Sequence, residues 1–223
     1  MVNDTGNTSN ASLVRQSWIK NDGIMDEKLK PVSDILFESI GIPEGRKFLD
    51  IGCGAGSTTI RLGGLVRSGA SVTGIDISEP MVSFAKEKAK AIDNVDFVLG
   101  NAQTYEFGPD KFDGVLSRMG VMFFADPIQG FSNIHSALNR GAFLAFACWA
   151  PVEEGELTDL LLRTALKHTR KPHNNPGTAV GPDAFNDKEH VKSILSSSDF
   201  QTCLSKLSRF IREQECPPRK TLA

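Results

Sequence analysis

Three glycines and an acid near residue 50 predict a binding site for a nucleoside cofactor. The set consists of Asp50, Gly52, Gly54 and Gly56. The acid closes a short apolar run, residues 47–51, that reads as a buried strand. Glycine has no Cβ atom, so the chain can turn sharply and a ligand can lie against the main chain. A segment with helical spacing begins at Ser57, and the free N–H groups at its start add partial positive charge.

A second acid narrows the choice of nucleoside. Asp76 ends another short apolar strand, residues 71–76, and follows Gly56 by 20 positions. An acid in this place can accept hydrogen bonds from two ribose hydroxyls. Enzymes that bind dinucleotides share this layout, so Asp76 alone does not choose between cofactors.

Two details favour S-adenosylmethionine over a dinucleotide. The glycines here are spaced Gly-x-Gly-x-Gly, whereas the dinucleotide pattern is Gly-x-Gly-x-x-Gly/Ala, and Ser57 occupies its last position. Asp50 also precedes the turn, where a carboxylate would repel a pyrophosphate. S-adenosylmethionine carries an ammonium and a sulfonium and has no phosphate, so a carboxylate suits it.

Five blocks of sequence carry a resemblance to a known family. They are residues 48–56, 72–81, 95–104, 112–127 and 140–149. In this order and spacing the chain resembles the class I S-adenosylmethionine-dependent methyltransferases that act on small molecules, over roughly residues 18–200. The resemblance implies an α/β fold with a doubly wound, mostly parallel, Rossmann-like sheet. It also implies methyl transfer from S-adenosylmethionine to a small-molecule acceptor.

The resemblance also implies which residues contact the cofactor. Asn101 stands where the family mostly has an Asp on the adenine amine, and Ala102 would add its backbone N–H. Arg118 faces the cofactor cleft in the family, although it could instead be a structural ion-pair partner. Asp50 and Asp76 could likewise be helix-capping acids. The predicted cofactor-binding residues are Asp50, Gly52, Gly54, Gly56, Asp76, Ile77, Asn101, Ala102, Ser117 and Arg118; no catalytic residue is assigned.

Strands and helices are predicted to alternate along the chain, which is typical of a parallel sheet with helices on both faces. The predicted strands are 47–51, 71–76, 95–100, 112–118, 141–149 and 201–207. The predicted helices are 57–67, 79–91, 127–138, 156–168 and 186–198, with a further helical segment around residues 29–40.

The domain is predicted to be single and shortened at its C-terminal end. Residues 1–12 are predicted to be disordered, 13–207 to form the methyltransferase-like domain and 208–223 to form a tail. Pro217 and Pro218 cannot sit in a central strand. We therefore expect the family's seventh strand to be missing. Residues 201–207 would then either pair beside strand 141–149 or leave that strand as an exposed edge, which would favour self-association.

Composition limits the other partners. A net charge of −2 without a basic block argues against nucleic acid. No apolar run approaches the roughly 18 residues that span a bilayer. The four cysteines have neither close pairing nor zinc spacing, which predicts a cytoplasmic protein without a metal. Two alternatives stay open: a non-catalytic relative that binds the cofactor, and a nicotinamide oxidoreductase.

Overall fold

The structure is a computed structural model. It describes residues 19–41, 43–149, 180–182 and 184–200, and the backbone of residues 204–207 and 210–213. The predicted disordered segment 1–12 and the predicted helix 156–168 lie outside the described residues.

A five-stranded parallel sheet forms the centre of the fold. Its strands are β1 (Lys47–Ile51), β2 (Ser71–Asp76), β3 (Val95–Leu99), β4 (Phe112–Arg118) and β5 (Leu138–Ala147). They lie in the order β3-β2-β1-β4-β5, and every neighbouring pair is parallel. The order changes direction at β1, so the crevice between the ends of β1 and β4 is the place where such sheets bind ligands.

Helices connect the strands and cover the sheet. They are α1 (Asp22–Ile40), α2 (Ser57–Leu65), α3 (Glu79–Lys88), α4 (Pro127–Ser136) and α5 (Lys188–Ser197), with a short 3₁₀ helix at Val121–Phe123. Local chemistry sets where two of them begin. The Asp126 side chain accepts from the Gln129 N–H at the start of α4, and Asp187 accepts from two N–H groups at the start of α5.

The residues of β1 alternate between the two faces of the sheet. Leu49 and Ile51 pack in a core cluster that includes Phe131 of α4 and Val191 of α5. Phe48 packs in a second cluster with residues of α1 and α2. Because helices cover both faces, β1 is apolar at consecutive positions. The predicted doubly wound α/β fold is confirmed.

Several element boundaries differ from the predicted ones, among them the two on either side of residue 137. Helix α4 ends at Ser136 rather than 138, and β5 begins at Leu138 rather than 141. Leu138 pairs with Phe112 of β4, and the register shifts between Phe112 and Gly114. Gly141, with φ +83°, lies in this irregular stretch between the paired residues Leu138 and Phe143.

The predicted absence of a seventh strand is not confirmed. Residues Leu204–Leu207 form β6, and Phe210–Glu213 form an antiparallel partner, β7, within the predicted tail. Strand β7 has Cα atoms within 8 Å of β5 and of α1, but its hydrogen-bonded neighbour is β6. The two prolines follow β7, so they do not prevent it. We expected residues 201–207 either to pair with β5 or to leave its edge open; β7 lies beside β5 instead.

Candidate functional site

The parallel strands bring the predicted site residues to one edge of the sheet. Strands β1, β2, β3 and β4 end at Ile51, Asp76, Leu99 and Arg118. Parallel neighbours end on the same side, so the glycine turn, the second acid, and the segments after β3 and β4 meet at this carboxyl edge.

The three glycines of the turn have different surroundings. A Cβ atom on Gly52 would lie 2.6 Å from the Cα atom of Gly120, and one on Gly56 would lie 2.7 Å from the ring of Phe97. These two glycines let the protein pack against itself. Gly54 has φ +53° and nothing within 4 Å of its Cβ position. Of the three, Gly54 is therefore where a ligand could approach the main chain.

Asp76 binds the turn to the end of β2. Its Oδ2 atom accepts from the Gly54 N–H at 2.9 Å, and its Oδ1 atom accepts from the Ser78 N–H at 2.9 Å. The side chain is half-buried. A carboxylate oxygen can accept more than one hydrogen bond, so both oxygens keep capacity for further donors. Asp76 is thus held at a fixed orientation beside Gly54.

Asp50 is fully buried and only half satisfied. Its Oδ2 atom accepts from the hydroxyls of Thr58 and Thr59 at 2.6 and 2.7 Å. Its Oδ1 atom is buried and has no hydrogen-bond partner among the residues that the structure describes. Burial raises the pKa of this carboxyl to about 6, against the lowering effect of the two threonines and of Arg118. An orphaned buried oxygen of this kind is the acceptor that a cationic ligand group would complete.

Arg118 lies in an ion pair with α1. Its Nη1 atom donates to Asp26 Oδ1 at 2.8 Å and to Ser33 Oγ at 2.7 Å. The arginine side chain is 12% exposed and the aspartate 45%. Its charge also reaches Asp50, whose pKa it lowers. The sequence left two roles open for Arg118, a cofactor contact or a structural ion pair. In this structure Arg118 forms the ion pair.

Ser117 holds two loops of the carboxyl edge together. The side chain is fully buried. Its hydroxyl donates to the Ile51 carbonyl at 2.8 Å and accepts from the Val121 N–H at 3.2 Å. The hydroxyl thus bonds to backbone groups rather than facing a cleft. It fixes the end of β4 to the end of β1, beside the contact between Gly52 and Gly120.

Asn101 and Ala102 follow β3 at the same edge. Asn101 is exposed, and its Oδ1 atom accepts from the backbone and side-chain nitrogens of Gln103 at 3.1 and 3.2 Å. Ala102 is buried, and its carbonyl accepts from Asn133. Two apolar side chains lie on the exposed surface near them: Ile77 after β2 is 61% exposed, and Leu99 at the end of β3 is 49% exposed.

Sequence reasoning missed several residues that shape this edge. Thr58 and Thr59 donate hydrogen bonds to the buried Asp50 carboxylate. Their position in the first turn of α2, just after the glycine turn, is the sequence signal that could have predicted this role. Asp26 is far from Arg118 in sequence, so no local signal links the two. Met119, by contrast, is in the segment that the family resemblance implies faces the cofactor cleft; it has φ +62°, an uncommon conformation outside glycine, and its side chain packs against the core.

Within the described residues, no group of three or more His, Cys, Asp or Glu side chains is placed to hold a metal ion. Nor is any helix there both long and apolar enough to cross a bilayer. Cys53 and Cys148 are free and buried, and burial raises the pKa of the Cys148 thiol to about 12.

Known proteins match this chain in sequence and in fold. The sequence profile of a family described as "Methyltransferase domain" matches residues 42–211. The chain belongs to this methyltransferase family. The resemblance to class I S-adenosylmethionine-dependent methyltransferases is thereby confirmed.

Individual methyltransferases show the extent of the likeness. The demethylmenaquinone methyltransferase of Staphylococcus aureus (strain MRSA252) is 33% identical over 124 residues, 56% of this chain and 52% of that protein. The chain thus spans about half the length of the curated relatives it matches. A SAM-dependent methyltransferase from Aquifex aeolicus has a TM-score of 0.60 at 18% identity, over 80% of this chain and 85% of that one.

A third methyltransferase was solved with its cofactor. The phosphoethanolamine N-methyltransferase 2 of Haemonchus contortus, in complex with S-adenosyl-L-methionine, has a TM-score of 0.52 at 24% identity. The match covers 74% of this chain and 35% of that one. At these identities the two solved structures support the fold alone.

Proposed function

We propose that this protein transfers a methyl group from S-adenosylmethionine to a small-molecule acceptor. The observation that carries the proposal is the buried Asp50 carboxylate, directly before the glycine turn, whose Oδ1 atom has no partner within the described part of the chain. A family of methyltransferases supplies the reaction class. The chain's own residues supply the fit to the cofactor.

The adenosine half of the cofactor fits the ends of β2 and β3. The two oxygens of Asp76 are held by backbone N–H groups and can each accept one ribose hydroxyl. Ile77 and Leu99 expose apolar side chains on either side of this acid. An adenine ring there would cover apolar surface, with Asn101 and the Ala102 N–H available for its polar edge.

The amino-acid half fits the end of β1. An ammonium at Asp50 Oδ1 would complete the one unpaired buried oxygen of this acid. A pyrophosphate in the same place would bring a second negative charge to a fully buried carboxylate, which is costly in a medium of low dielectric constant. Asp50 therefore favours S-adenosylmethionine over NAD.

The chemistry demands position more than acid–base groups. When bound, the cofactor supplies a methyl group that its positive sulfur has already activated. The chain has to align the acceptor with that methyl group and exclude water, and such positioning can contribute on the order of 7–11 kcal/mol. Asp76 holds the glycine turn in place, and Ser117 holds the loop after β4. These two fixed segments would position the ligands. A general base is needed only for a hydroxyl or acidic-carbon acceptor.

The acceptor and the location complete the proposal. The net charge of −2 and the lack of a basic block favour a small molecule over nucleic acid. Of the three methyltransferases named above, two carry different acceptors in their names, so neither acceptor is transferred to this chain. A cytoplasmic location is part of the proposal and rests on the unpaired, widely spaced cysteines.

Two measurements test the proposal in order. Thermal unfolding is followed with S-adenosylhomocysteine and, separately, with NAD; we expect stabilisation by the first and none by the second. Stabilisation by NAD alone would favour the oxidoreductase. Methyl-labelled S-adenosylmethionine is then incubated with the protein and a metabolite extract, and we expect labelled product. Cofactor binding without label transfer would favour the non-catalytic relative.

A further inference from the structure

Helix α1 is attached to the rest of the fold by acids on one of its faces. Asp22, Asp26 and Asp34 stand at intervals of four or eight residues, so they share this face. Asp22 pairs with Lys88 of α3 at 2.7 Å, Asp26 with Arg118 at 2.8 Å and Asp34 with Arg61 of α2 at 2.7 Å. Each acid therefore anchors α1 to a different element.

Two of these ion pairs lie beside the proposed cofactor site. Lys88 also donates to Ser57, the first residue after the glycine turn, at 2.9 Å. Arg118 ends β4 two residues beyond Leu116, the partner of Asp50 across the neighbouring strands, so it lies on the same face of the sheet as Asp50. The third pair, at Asp34, lies two helical turns farther along α1 and provides an internal comparison.

Arg118 lies near two carboxylates, of which Asp50 is fixed in the sheet and Asp26 is accessible to solvent. Asp50 is fully buried in the sheet, whereas the Asp26 side chain is 45% exposed on α1. A guanidinium carries five N–H donors in a planar fork and can bind two carboxylates at once. Asp26 is the partner that can return to water at low cost, because an ion pair with an exposed member is weak.

We propose that Asp26 occupies, in the free protein, the place on Arg118 that the carboxylate of the bound cofactor takes. The inference rests on the proposed function, which puts the cofactor ammonium at Asp50. In an amino acid the carboxylate is attached to the carbon that bears the ammonium. A ligand whose ammonium meets Asp50 therefore carries its carboxylate toward the cation beside Asp50, which is Arg118. Arg118 selects ligands with an amino-acid end, and Asp26 competes with them.

Two ligands that differ by one group should respond differently to the loss of Asp26. S-adenosylhomocysteine has the ammonium and the carboxylate; its decarboxylated analogue, S-(5′-adenosyl)-3-thiopropylamine, has the ammonium alone. Removing Asp26 frees Arg118 for the first ligand and gives nothing to the second. The gain is the worth of a partly exposed ion pair, roughly two- to fivefold in affinity.

Titration calorimetry on the full chain tests this inference. We expect Asp26→Ala to bind S-adenosylhomocysteine roughly two- to fivefold more tightly than the wild type and the analogue within about twofold of it. Asp34→Ala is the matched control, since it removes an ion pair from the same helix face, and should change neither affinity. Arg118→Gln should bind the two ligands with nearly equal affinity.

The outcomes separate this inference from the proposed function. If the wild type binds neither ligand, the proposed function fails and this inference falls with it. If the wild type binds S-adenosylhomocysteine but Asp26→Ala changes both affinities alike, or weakens them, the inference is wrong and the proposed function stands. The Asp26 comparison decides the matter even if Arg118→Gln does not fold.

Discussion

Asp50 and Asp76 are two acids at one edge of a sheet, and burial gives them different tasks. Asp76 is half-buried and holds two backbone N–H groups, so its charge is compensated before any ligand arrives. Asp50 is fully buried, and one of its oxygens has no partner. Asp76 therefore shapes the site in the free protein, whereas Asp50 becomes fully satisfied only with a cation present.

Replacing Asp76 with Ala should weaken the binding of S-adenosylhomocysteine at least about tenfold. Hydrogen bonds to a charged group contribute roughly 1.5–3 kcal/mol each, and two are lost. Titration calorimetry measures the change. Asp187→Ala is the control, because Asp187 also accepts two backbone N–H groups but stands at the start of α5. Equal affinities in wild type and Asp76→Ala would remove Asp76 from the ribose site.

Replacing Asp50 with Asn should change how stability depends on pH. The folded-state pKa of Asp50, about 6, lies above its usual 3.8, so the folded protein keeps a proton that the unfolded chain releases. The free energy of unfolding from this group is therefore highest below pH 4, falls as the pH rises to 6 and stays low above it. The total loss is on the order of 3 kcal/mol.

Urea denaturation of both proteins between pH 4 and pH 7.5 measures this effect. The other acids with shifted pKa values are common to both proteins, so the difference between the two curves isolates Asp50. We expect the wild type to lose stability relative to Asp50→Asn as the pH rises through that range. Parallel curves would mean that Asp50 is ionised in the folded protein at its ordinary pKa.

The sequence predicted which residues reach the carboxyl edge better than it predicted where their side chains point. The spacing of strands and glycines fixes the edge, because each residue follows directly on a strand end. Ser117 was expected at the cofactor, but its hydroxyl bonds to the Ile51 carbonyl and the Val121 N–H. Its direction depends on a contact across two strands, which no local pattern contains.

At the scale of elements, a substitution in the turn between β1 and α2 should weaken cofactor binding more than it destabilises the fold. Gly54→Ala places a methyl group in open space, at φ +53°, so we expect a stability loss of roughly 1–2 kcal/mol and much weaker cofactor binding. Gly69 is a matched control, with φ +85° and equally open surroundings before β2.

Thermal unfolding and calorimetry on both glycine variants separate strain from contact. Gly69→Ala should lose similar stability and keep its affinity for S-adenosylhomocysteine. If Gly54→Ala binds as tightly as Gly69→Ala does, the cofactor does not pass over Gly54, and the cradle lies elsewhere.

The long, strongly patterned elements were predictable. Of the final hairpin, β6 lies within the predicted strand 201–207, whereas β7 was not predicted. Strands β1 and β4 contain apolar residues at consecutive positions, and their predicted bounds match the structure. Strand β7 contains only Phe210 and Ile211 as apolar residues, next to charges and shortly before two prolines. Strand β7 forms by backbone pairing with β6, which its composition does not predict.

At the scale of the whole molecule, the hairpin of β6 and β7 determines whether the edge of β5 is covered or bare. Strand β5 is the last strand of the parallel sheet, and β7 lies beside it. Self-association of the full chain stays a prediction. A chain that ends at residue 200 lacks the hairpin, so we expect it to self-associate through the bare edge while its site, built on β1–β4, still binds S-adenosylhomocysteine.

Sedimentation velocity at several protein concentrations tests the truncated chain against the full one. The expected result is a shift to larger species with rising concentration for the truncated chain and a smaller shift, or none, for the full chain. A truncated chain that stays monomeric at every concentration would show that the edge is protected by other means.

The unpaired oxygen of Asp50 also has a consequence for how long the protein survives in a cell. Ligand that binds only the folded state stabilises it by mass action, and a marginally stable protein is degraded from its unfolded fraction. The amount of this protein should therefore follow the cofactor supply. In a host starved of methionine, we expect a pulse-chase experiment to show a shorter half-life for the wild type and an unchanged one for Asp50→Asn. Equal responses of the two proteins would separate turnover from the buried acid.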